Sequence, residues 1–197
     1  MGLLRWAPTP MISDIALKEV GYTEGANNAN KYSKALGRPA ESWCADFVSW
    51  CAKQAGDPVF NSAGVIQWYD WAKKNNLLID KSQIQKNDLL LFSWDYTNLE
   101  HIGIALGWNA KTHLFDTVEG NTSESNTSSQ SNGDCVAIKH RPPSCIKYAI
   151  RPKWKTSWKT SITSKHRWSS SAYSLHGRLL ISHWTTALFC PQLSPLA

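Results

Sequence analysis

The sequence predicts an α+β fold in which N-terminal helices pack on an antiparallel sheet of about five strands. Two observations lead to this class. Apolar residues recur at helical spacing within the first 75 residues. From residue 89 onward, short apolar or alternating segments replace that pattern, as strands do. Helices that precede a run of strands favour an α+β arrangement over one in which the two alternate.

Three segments have the spacing of amphipathic helices, namely 11–21, one with Cys44 in its first turn, and 62–75. Gly56 is a plausible end of the second helix, and 25–30 is predicted as a loop. The inward positions are Ile12, Ile15, Ala16 and Val20 in the first helix, Phe47, Val48, Cys51, Ala52 and Ala55 in the second, and Val65, Tyr69 and Ala72 in the third.

Five later segments are predicted as strands, namely 89–94, 102–106, 114–119, 136–139 and 146–151. The first of them is continuously apolar, which suits a central strand that is buried on both faces. The segment 122–132 is rich in Ser, Thr and Asn, and is predicted to be a loop.

Cys44 occupies the position that a nucleophile would need. It lies in the first turn of the predicted second helix, with Ser42 as the predicted N-cap and Asp46 in the same turn. A helix N-terminus carries a partial positive charge and free backbone N–H groups, which favour a thiolate over a thiol. The alternative is a buried cysteine that packs as a small hydrophobic residue, as most isolated cysteines do.

A nucleophilic cysteine needs a base, and His101 is the best candidate. It begins an alternating segment in which the histidine shares one strand face with two small residues. That face should permit close approach by another element, which we expect to be the Cys44 helix. The two faces are Ile102, Ile104 and Leu106 on one side, and His101, Gly103 and Ala105 on the other.

The group that orients the base is predicted at the end of the next strand. Glu119 would accept a hydrogen bond from the imidazole and set its tautomer. Asn121 would serve the same purpose or help to bind an oxyanion. Taken singly, an ordinary surface histidine and an ordinary strand-to-turn sequence also account for these residues.

Together, these motifs resemble the CHAP domain family, the cysteine, histidine-dependent amidohydrolase/peptidase family. The order is Trp43-Cys44-Ala45-Asp46-Phe47-Val48, then His101-Ile102-Gly103-Ile104, then Glu119-Gly120-Asn121. The stretches 19–25 and 150–152 also resemble this domain in phage and bacterial wall hydrolases. The resemblance spans about residues 11–153, and implies a papain-like fold and hydrolysis of peptidoglycan amide bonds.

Position by position, the resemblance implies Cys44 as nucleophile, His101 as base, and Glu119 with Asn121 as orienting or polar groups. The predicted substrate-binding residues are Trp43, Trp68 and Trp94. The bond remains open between an N-acetylmuramoyl-L-alanine amidase and an endopeptidase. The alternative function is a non-catalytic wall-binding protein that keeps the fold, and the intact Cys, His and Glu set argues against it.

We predict neither a metal nor a cofactor. Some members of the family carry calcium in an acidic loop before the cysteine, but in 27–41 the only acid is Glu41. The cysteines are odd in number and lack C-x-x-C spacing, so neither a disulfide framework nor a zinc site is indicated. They are Cys44, Cys51, Cys135, Cys145 and Cys190.

Charge divides the chain unevenly, within a net charge of +6. Residues 1–134 hold 15 acidic and 11 basic residues, a balance of −4, whereas residues 135–197 hold 10 Lys and Arg with no acid, a balance of +10. Such asymmetry favours a polyanionic partner. Because no nucleic-acid-binding motif is present, anionic polymers of the cell wall are the preferred partner and nucleic acid is not expected.

The predicted organisation is an N-terminal extension at 1–10, the catalytic domain at 11–153 and a basic tail rich in Trp, Ser and Thr at 154–197. The tail has no clear period, and a segment of this length and composition hardly buries a core, so we expect disorder or a degenerate appendage.

No apolar run is long enough for a membrane span or a secretory signal. We expect a monomer that acts on the bacterial cell wall. The resemblance to phage lysins implies that it would leave the cytoplasm by a separate route.

Overall fold

A computed structural model describes residues 10–56, 60–125, 129 and 132–154 of the chain. The helices are α1 (Ile12–Leu17), α2 (Lys31–Ala35), α3 (Cys44–Gln54) and α4 (Val65–Lys74). The strands are β1 (Leu78–Ile79), β2 (Leu89–Phe92), β3 (His101–Asn109), β4 (Leu114–Thr122), β5 (Cys135–Arg141) and β6 (Ile146–Ile150). Short 3₁₀ turns lie at Ala26–Asn28, Lys81–Gln83 and Pro143–Cys145. The predicted α+β class is confirmed.

The strands form one sheet in the order β1-β6-β2-β3-β4-β5, in which every pairing is antiparallel. All five predicted strands are present. The sixth, β1, has two residues and pairs Leu78 with Ile150. A strand this short cannot show an alternating pattern, which is why the sequence did not reveal it.

Both faces of the sheet bury apolar residues. The first face packs on the helices, and carries Leu89, Leu91, Ile102, Ile104 and Val118. The second face forms a smaller cluster of Leu90, Phe92, Ala105, Phe115, Ile146 and Ala149. Because β2 is buried on both sides, its sequence is continuously apolar rather than alternating.

The close approach between helix and sheet does not occur where the sequence predicts it. The helices pack on the face of Ile102 and Ile104, not on that of Gly103. The required small residue is Gly120 of β4, where a Cβ atom would lie 2.6 Å from the Cβ of Phe47 in α3. Gly103 makes room for Glu119 instead, because a Cβ there would lie 2.6 Å from Glu119 Cγ.

The helix boundaries also differ in part from the predicted ones. The first helix ends at Leu17, well before residue 21, and α4 begins at Val65 with Gly64 as its N-cap. The sequence analysis missed α2, although its N-cap Asn30 accepts a hydrogen bond from Ser33 N at 2.8 Å. Five residues are too few to establish a helical period. The predicted placement of Cys44 in the first turn of α3 is confirmed, although the N-cap is Trp43 and not the predicted Ser42.

The described structure includes one residue beyond the predicted end of the catalytic domain. Trp154, the first residue of the predicted tail, packs against the core, and its Nε1 donates to Asn87 O at 3.1 Å. The rest of the predicted tail, most of the predicted N-terminal extension, and residues 126–128 and 130–131 of the predicted loop lie outside the described residues. None of the helices in the described part of the chain has the length and apolar character needed to cross a membrane.

Candidate active site

Cys44 is the first residue of α3, and the start of this helix carries no side-chain cap. Trp43 occupies the N-cap position without a side-chain hydrogen bond to the helix. Ser42, the predicted cap, donates instead to Asn132 Oδ1 at 3.0 Å. The first-turn Asp46 accepts from Ser33 Oγ at 2.6 Å and pairs with Arg38. The backbone N–H groups beside Cys44 are therefore not covered by a capping side chain, and they keep their positive field.

His101 has its two ring nitrogens in different surroundings. Nε2 lies 3.0 Å from Oε2 of Glu119, and both side chains are fully buried. An ionised carboxylate only accepts hydrogen bonds, so Nε2 carries the hydrogen in this contact. When the ring is neutral, the basic nitrogen is then Nδ1, which makes no hydrogen bond of standard geometry within the described structure. The ring is thus anchored by Glu119 while its other nitrogen stays available.

The neighbour of this imidazole is Cys44. Burial lowers the pKa of His101, but its interactions with the adjacent Cys44 and with Glu119 outweigh burial and raise that pKa to about 9. We attribute the contact between thiol and ring to charge rather than to an aligned hydrogen bond, because Nδ1 lacks a bond of standard geometry. Such bonds often align only when substrate binds. The surroundings therefore favour the protonated form of His101.

Besides the contact with His101, three hydrogen bonds from two side chains hold Glu119. Thr117 Oγ1 donates to its Oε1 at 2.6 Å, Arg141 Nε donates to the same oxygen at 2.9 Å, and Arg141 Nη2 donates to Oε2 beside His101. Burial raises the pKa of Glu119, but hydrogen bonds from Arg141 and His101 outweigh it and lower that pKa to about 2. The carboxylate is therefore ionised at every pH at which the protein would work.

Arg141 is the residue of this site that the sequence analysis missed. It lies at the end of β5, beyond the predicted strand end at residue 139. Arginine is mostly an exposed residue, and nothing in the local pattern indicates a buried partner. Residues 137, 139 and 141 share one face of the strand, and this alternation is the only local signal that would place Arg141 in the site. It appears only when the predicted strand 136–139 is extended by two residues.

Asn121 lies two residues beyond Glu119 and is buried. Its backbone is left-handed, with φ of 56°, and its carbonyl accepts from Gly133 N at 3.0 Å. It falls where the pairing of β4 with β5 shifts register, between Glu119 and Thr122. Glu119 fills the position next to Nε2 of His101, and the role of Asn121 stays a prediction.

The three predicted substrate-binding tryptophans differ in exposure. Trp43 and Trp68 are fully buried, the first stacked on Tyr32 at 5.2 Å and the second bonded through Nε1 to Ser62 O. This burial contradicts the predicted binding role of both. Trp94 is 37% exposed and lies 5.9 Å from the His101 ring, and its predicted role remains open to test.

Comparison with known proteins identifies the segment that carries this site. Residues 34–121 match the model of the CHAP domain, which confirms the predicted resemblance. The match includes Cys44, His101, Glu119 and Asn121, and covers less than half of the chain.

A solved structure to which the chain is similar is the crystal structure of the wild-type endolysin LysIME-EF1. The TM-score is 0.47 and the sequence identity 17%, over 74% of this chain and 65% of that one. The chain thus spans slightly less than two thirds of that endolysin. No curated protein is significantly similar to the sequence.

Proposed function

We propose that this chain, which carries a CHAP domain at residues 34–121, hydrolyses an amide bond of bacterial peptidoglycan. The observation that supports this most strongly is the meeting of Cys44, His101 and Glu119 in one buried site at the start of α3. A cysteine beside a histidine that a carboxylate orients is the arrangement of an activated thiol nucleophile.

The first step is attack on the amide. His101 holds the proton of the Cys44 thiol, so the sulfur meets the carbonyl carbon as a thiolate. A C–S bond forms, and the carbonyl π electrons move to oxygen. The uncapped N–H groups at the start of α3 point toward the developing charge, as donors of an oxyanion hole do.

The second half of the reaction returns the enzyme to its starting state. His101 gives its proton to the leaving nitrogen as the C–N bond breaks, which leaves a thioester on Cys44 and a free amine. The neutral imidazole then takes a proton from water, and the hydroxide attacks the thioester. Loss of the thiolate releases the carboxylic acid, while Glu119 keeps the ring oriented throughout.

The bond that is cut is either the one between muramic acid and the first alanine of the stem peptide or one within the stem peptide or crossbridge. The two outcomes leave different new termini. An amidase would free the lactyl carboxylate together with an N-terminal alanine, whereas an endopeptidase would expose a different pair of peptide ends.

Mass spectrometry of digested peptidoglycan tests the function and identifies the bond. We expect new termini with the intact chain and none with Cys44→Ser, using walls of several crosslink types. If the chain bound these walls and released no new terminus from any of them, the non-catalytic wall-binding alternative would replace the proposal.

We further propose that anionic wall polymers attract the basic end of the chain. Residues 135–197 carry 10 Lys and Arg and no acid, which supports this partner. Walls stripped of teichoic acid should then bind the chain more weakly than untreated walls.

A further inference from the structure

We propose that Arg141 is a positioning residue of this site, which keeps Glu119 ionised and in place so that Glu119 orients His101 toward Cys44. The inference rests on the proposed cysteine mechanism, and it adds a fourth side chain to the three that carry the chemistry. Arg141 belongs to β5, a strand that contributes none of those three residues.

The contact between Arg141 and Glu119 has the geometry of a fork. Nε donates to Oε1 at 2.9 Å and Nη2 donates to Oε2, so both carboxylate oxygens are engaged. Oε2 is the same oxygen that faces His101 Nε2 at 3.0 Å. A planar guanidinium that binds both oxygens sets the plane of the carboxylate, which a lysine could not do. The plane of Glu119 in turn sets the direction of the imidazole.

Arg141 is itself fixed by aromatic rings. Its guanidinium lies 5.5 Å from the centre of the Phe92 ring and 5.3 Å from that of Trp94. The residue is 5% exposed, and Trp94 also contacts His101 edge-on at 5.9 Å. These rings keep water from the ion pair, and a dry ion pair interacts more strongly than an exposed one.

Arg141 also compensates negative charge in the buried site. The titratable groups that face Glu119 or Arg141 are His101 of β3, Lys139 of β5 and Cys145 of the turn before β6, and Cys44 of α3 faces His101. With Cys44 as thiolate, His101 as imidazolium, Glu119 as carboxylate and Arg141 as cation, these four charges sum to zero, while the charge of Lys139 is directed to Ser123 O and Glu124 O. Removing Arg141 would leave the buried Glu119 carboxylate without its paired guanidinium, which is costly.

The consequence of losing Arg141 follows from this balance. Without the guanidinium, Glu119 would take up a proton at higher pH. A protonated Glu119 no longer stabilises the imidazolium. On acidification, the reactive thiolate–imidazolium pair would therefore be lost at a higher pH than in the wild type. The acid limb of the pH–rate profile should therefore move upward. Because the guanidinium is buried away from substrate, kcat should fall while KM changes little.

The test compares Arg141→Met and Arg141→Lys with Arg151→Met. Arg151 is a matched control, because it binds Asp88 outside the site in the same two-bond geometry. Its Nε donates to Asp88 Oδ1 at 2.9 Å and its Nη2 donates to Oδ2 at 2.8 Å. The measurements are kcat and KM on soluble peptidoglycan fragments across pH, and the rate at which iodoacetamide alkylates Cys44, read by mass spectrometry of its peptide. Circular dichroism verifies the fold of each variant.

We expect Arg141→Met to lower kcat by roughly 10²-fold, the cost of a small misplacement of a catalytic group, and to move the acid limb of both profiles upward. Arg141→Lys, which keeps the charge and loses the fork, should keep the acid limb near its original pH with a smaller loss of kcat. If Arg141→Met does not fold, the loss of kcat in Arg141→Lys alone tests the positioning role. Arg151→Met should retain the original profiles.

A double variant separates positioning from general stability. If Arg141 acts through Glu119, adding Arg141→Met to Glu119→Gln should cost little further activity. Additive losses of activity in the double variant would overturn the inference. Unchanged pH profiles in Arg141→Met together with a wild-type rate in Arg141→Lys would overturn it as well. Because alkylation needs no substrate, a chain that cleaves no peptidoglycan but shows the shifted Cys44 profile would refute the proposed function and retain the role of Arg141.

Discussion

His101 illustrates at the scale of one residue how surroundings determine chemistry. Its Nε2 lies 3.0 Å from Oε2 of Glu119, which leaves Nδ1 as the nitrogen that would exchange a proton with Cys44 in the proposed mechanism. Burial would otherwise favour the neutral ring, and the nearby anions reverse that preference. The same histidine on an exposed strand would have neither a fixed tautomer nor a reason to hold the thiol proton.

The nucleophile is tested by a pair of cysteine variants. Cys44→Ser should abolish hydrolysis, because a hydroxyl in this position is far less easily ionised than a thiol. Cys51 is also buried in α3 but lies in the hydrophobic core, so Cys51→Ala should keep most of the activity at a modest cost in stability. Turnover of peptidoglycan fragments and thermal unfolding measure the two effects. Equal loss of activity in both variants would mean that Cys44 serves packing only.

The base is tested by a pair of histidine variants. His101→Ala should eliminate turnover, because no other group described beside Cys44 takes its proton. His113 lies in the turn between β3 and β4 with φ of 57°, so His113→Asn is the suitable control, since asparagine tolerates that backbone. Turnover at a fixed pH measures both variants, and loss with His113→Asn but not with His101→Ala would contradict the assignment.

Glu119 links activity to the pH dependence of stability. Folding lowers the pKa of Glu119 from 4.5 to about 2. Its ionised form therefore stabilises the fold at pH values above 4.5, and this contribution to stability is lost as the pH falls toward 2. Glu119→Gln should cost about 3 kcal/mol or more at neutral pH, because Arg141 then lacks its buried partner charge. The difference in free energy of unfolding between wild type and variant should narrow on acidification.

The same variant should retain measurable turnover, well above that of Cys44→Ser, since a misaligned imidazole still transfers some protons. Urea titrations at several pH values and fragment hydrolysis provide the two readouts. A fully active Glu119→Gln would transfer the orienting role to Asn121, and Asn121→Ala would then be the damaging change.

At the scale of elements, the contact between α3 and β4 brings Cys44 to the strands that carry His101 and Glu119. Glu119 and Gly120 are adjacent on β4 and serve opposite faces of the sheet. Glu119 reaches His101 on one face, while Gly120 lets Phe47 and Trp43 lie against the other. One dipeptide therefore places both the orienting acid and the helix that carries Cys44.

This arrangement predicts a large effect for a single methyl group. Gly120→Ala would place a Cβ 2.6 Å from Phe47 and Trp43, which must push α3 from the sheet. We expect a loss of roughly 1–3 kcal/mol in stability and a clear loss of activity. Gly25→Ala is the control, since its Cβ would meet Ala29 at an ordinary 3.5 Å. Thermal unfolding and turnover measure both, and an unperturbed Gly120→Ala would contradict the packing argument.

At the scale of the whole molecule, the described residues contain the complete site within one sheet and its helices. Cys44 lies on a helix of the first third of the chain, whereas His101, Glu119 and Arg141 lie on three adjacent strands, β3, β4 and β5. An antiparallel sheet brings residues from separate strands into register, which is why side chains so distant in sequence meet.

A chain shortened after Trp154 tests whether the site needs the remaining residues. It should fold and cleave soluble fragments, because every described contact of the site lies before that point. It should bind intact walls more weakly and with less sensitivity to salt, since residues 155–197 carry five Lys and Arg and no acid. Sedimentation with walls at several salt concentrations measures this, and loss of fragment cleavage would show that the catalytic fold extends further.

A chain that ends at Lys153 provides the matched comparison. It lacks the Trp154 ring on the core and the bond from its Nε1 to Asn87 O. Burial of part of an indole is worth on the order of 1–3 kcal/mol, so this chain should unfold at a lower temperature than the one that ends at Trp154.

The sequence by itself predicted most of the local elements and three of the candidate site residues, Cys44, His101 and Glu119. The periods of 3.6 and 2 are local properties, so they reveal the helix that begins at Cys44 and the strands that carry His101 and Glu119. The CHAP motifs assign those three residues their expected roles without reference to geometry.

Only the tertiary structure decided which faces meet. A strand pattern shows that Gly103 shares a face with His101, but it does not say that helix α3 packs on the opposite face, against Gly120. The partnership of Arg141 with Glu119 and the burial of Trp43 depend equally on elements far apart in sequence. Such contacts arise from long-range packing, and a local period carries no information about the partner that a face will find.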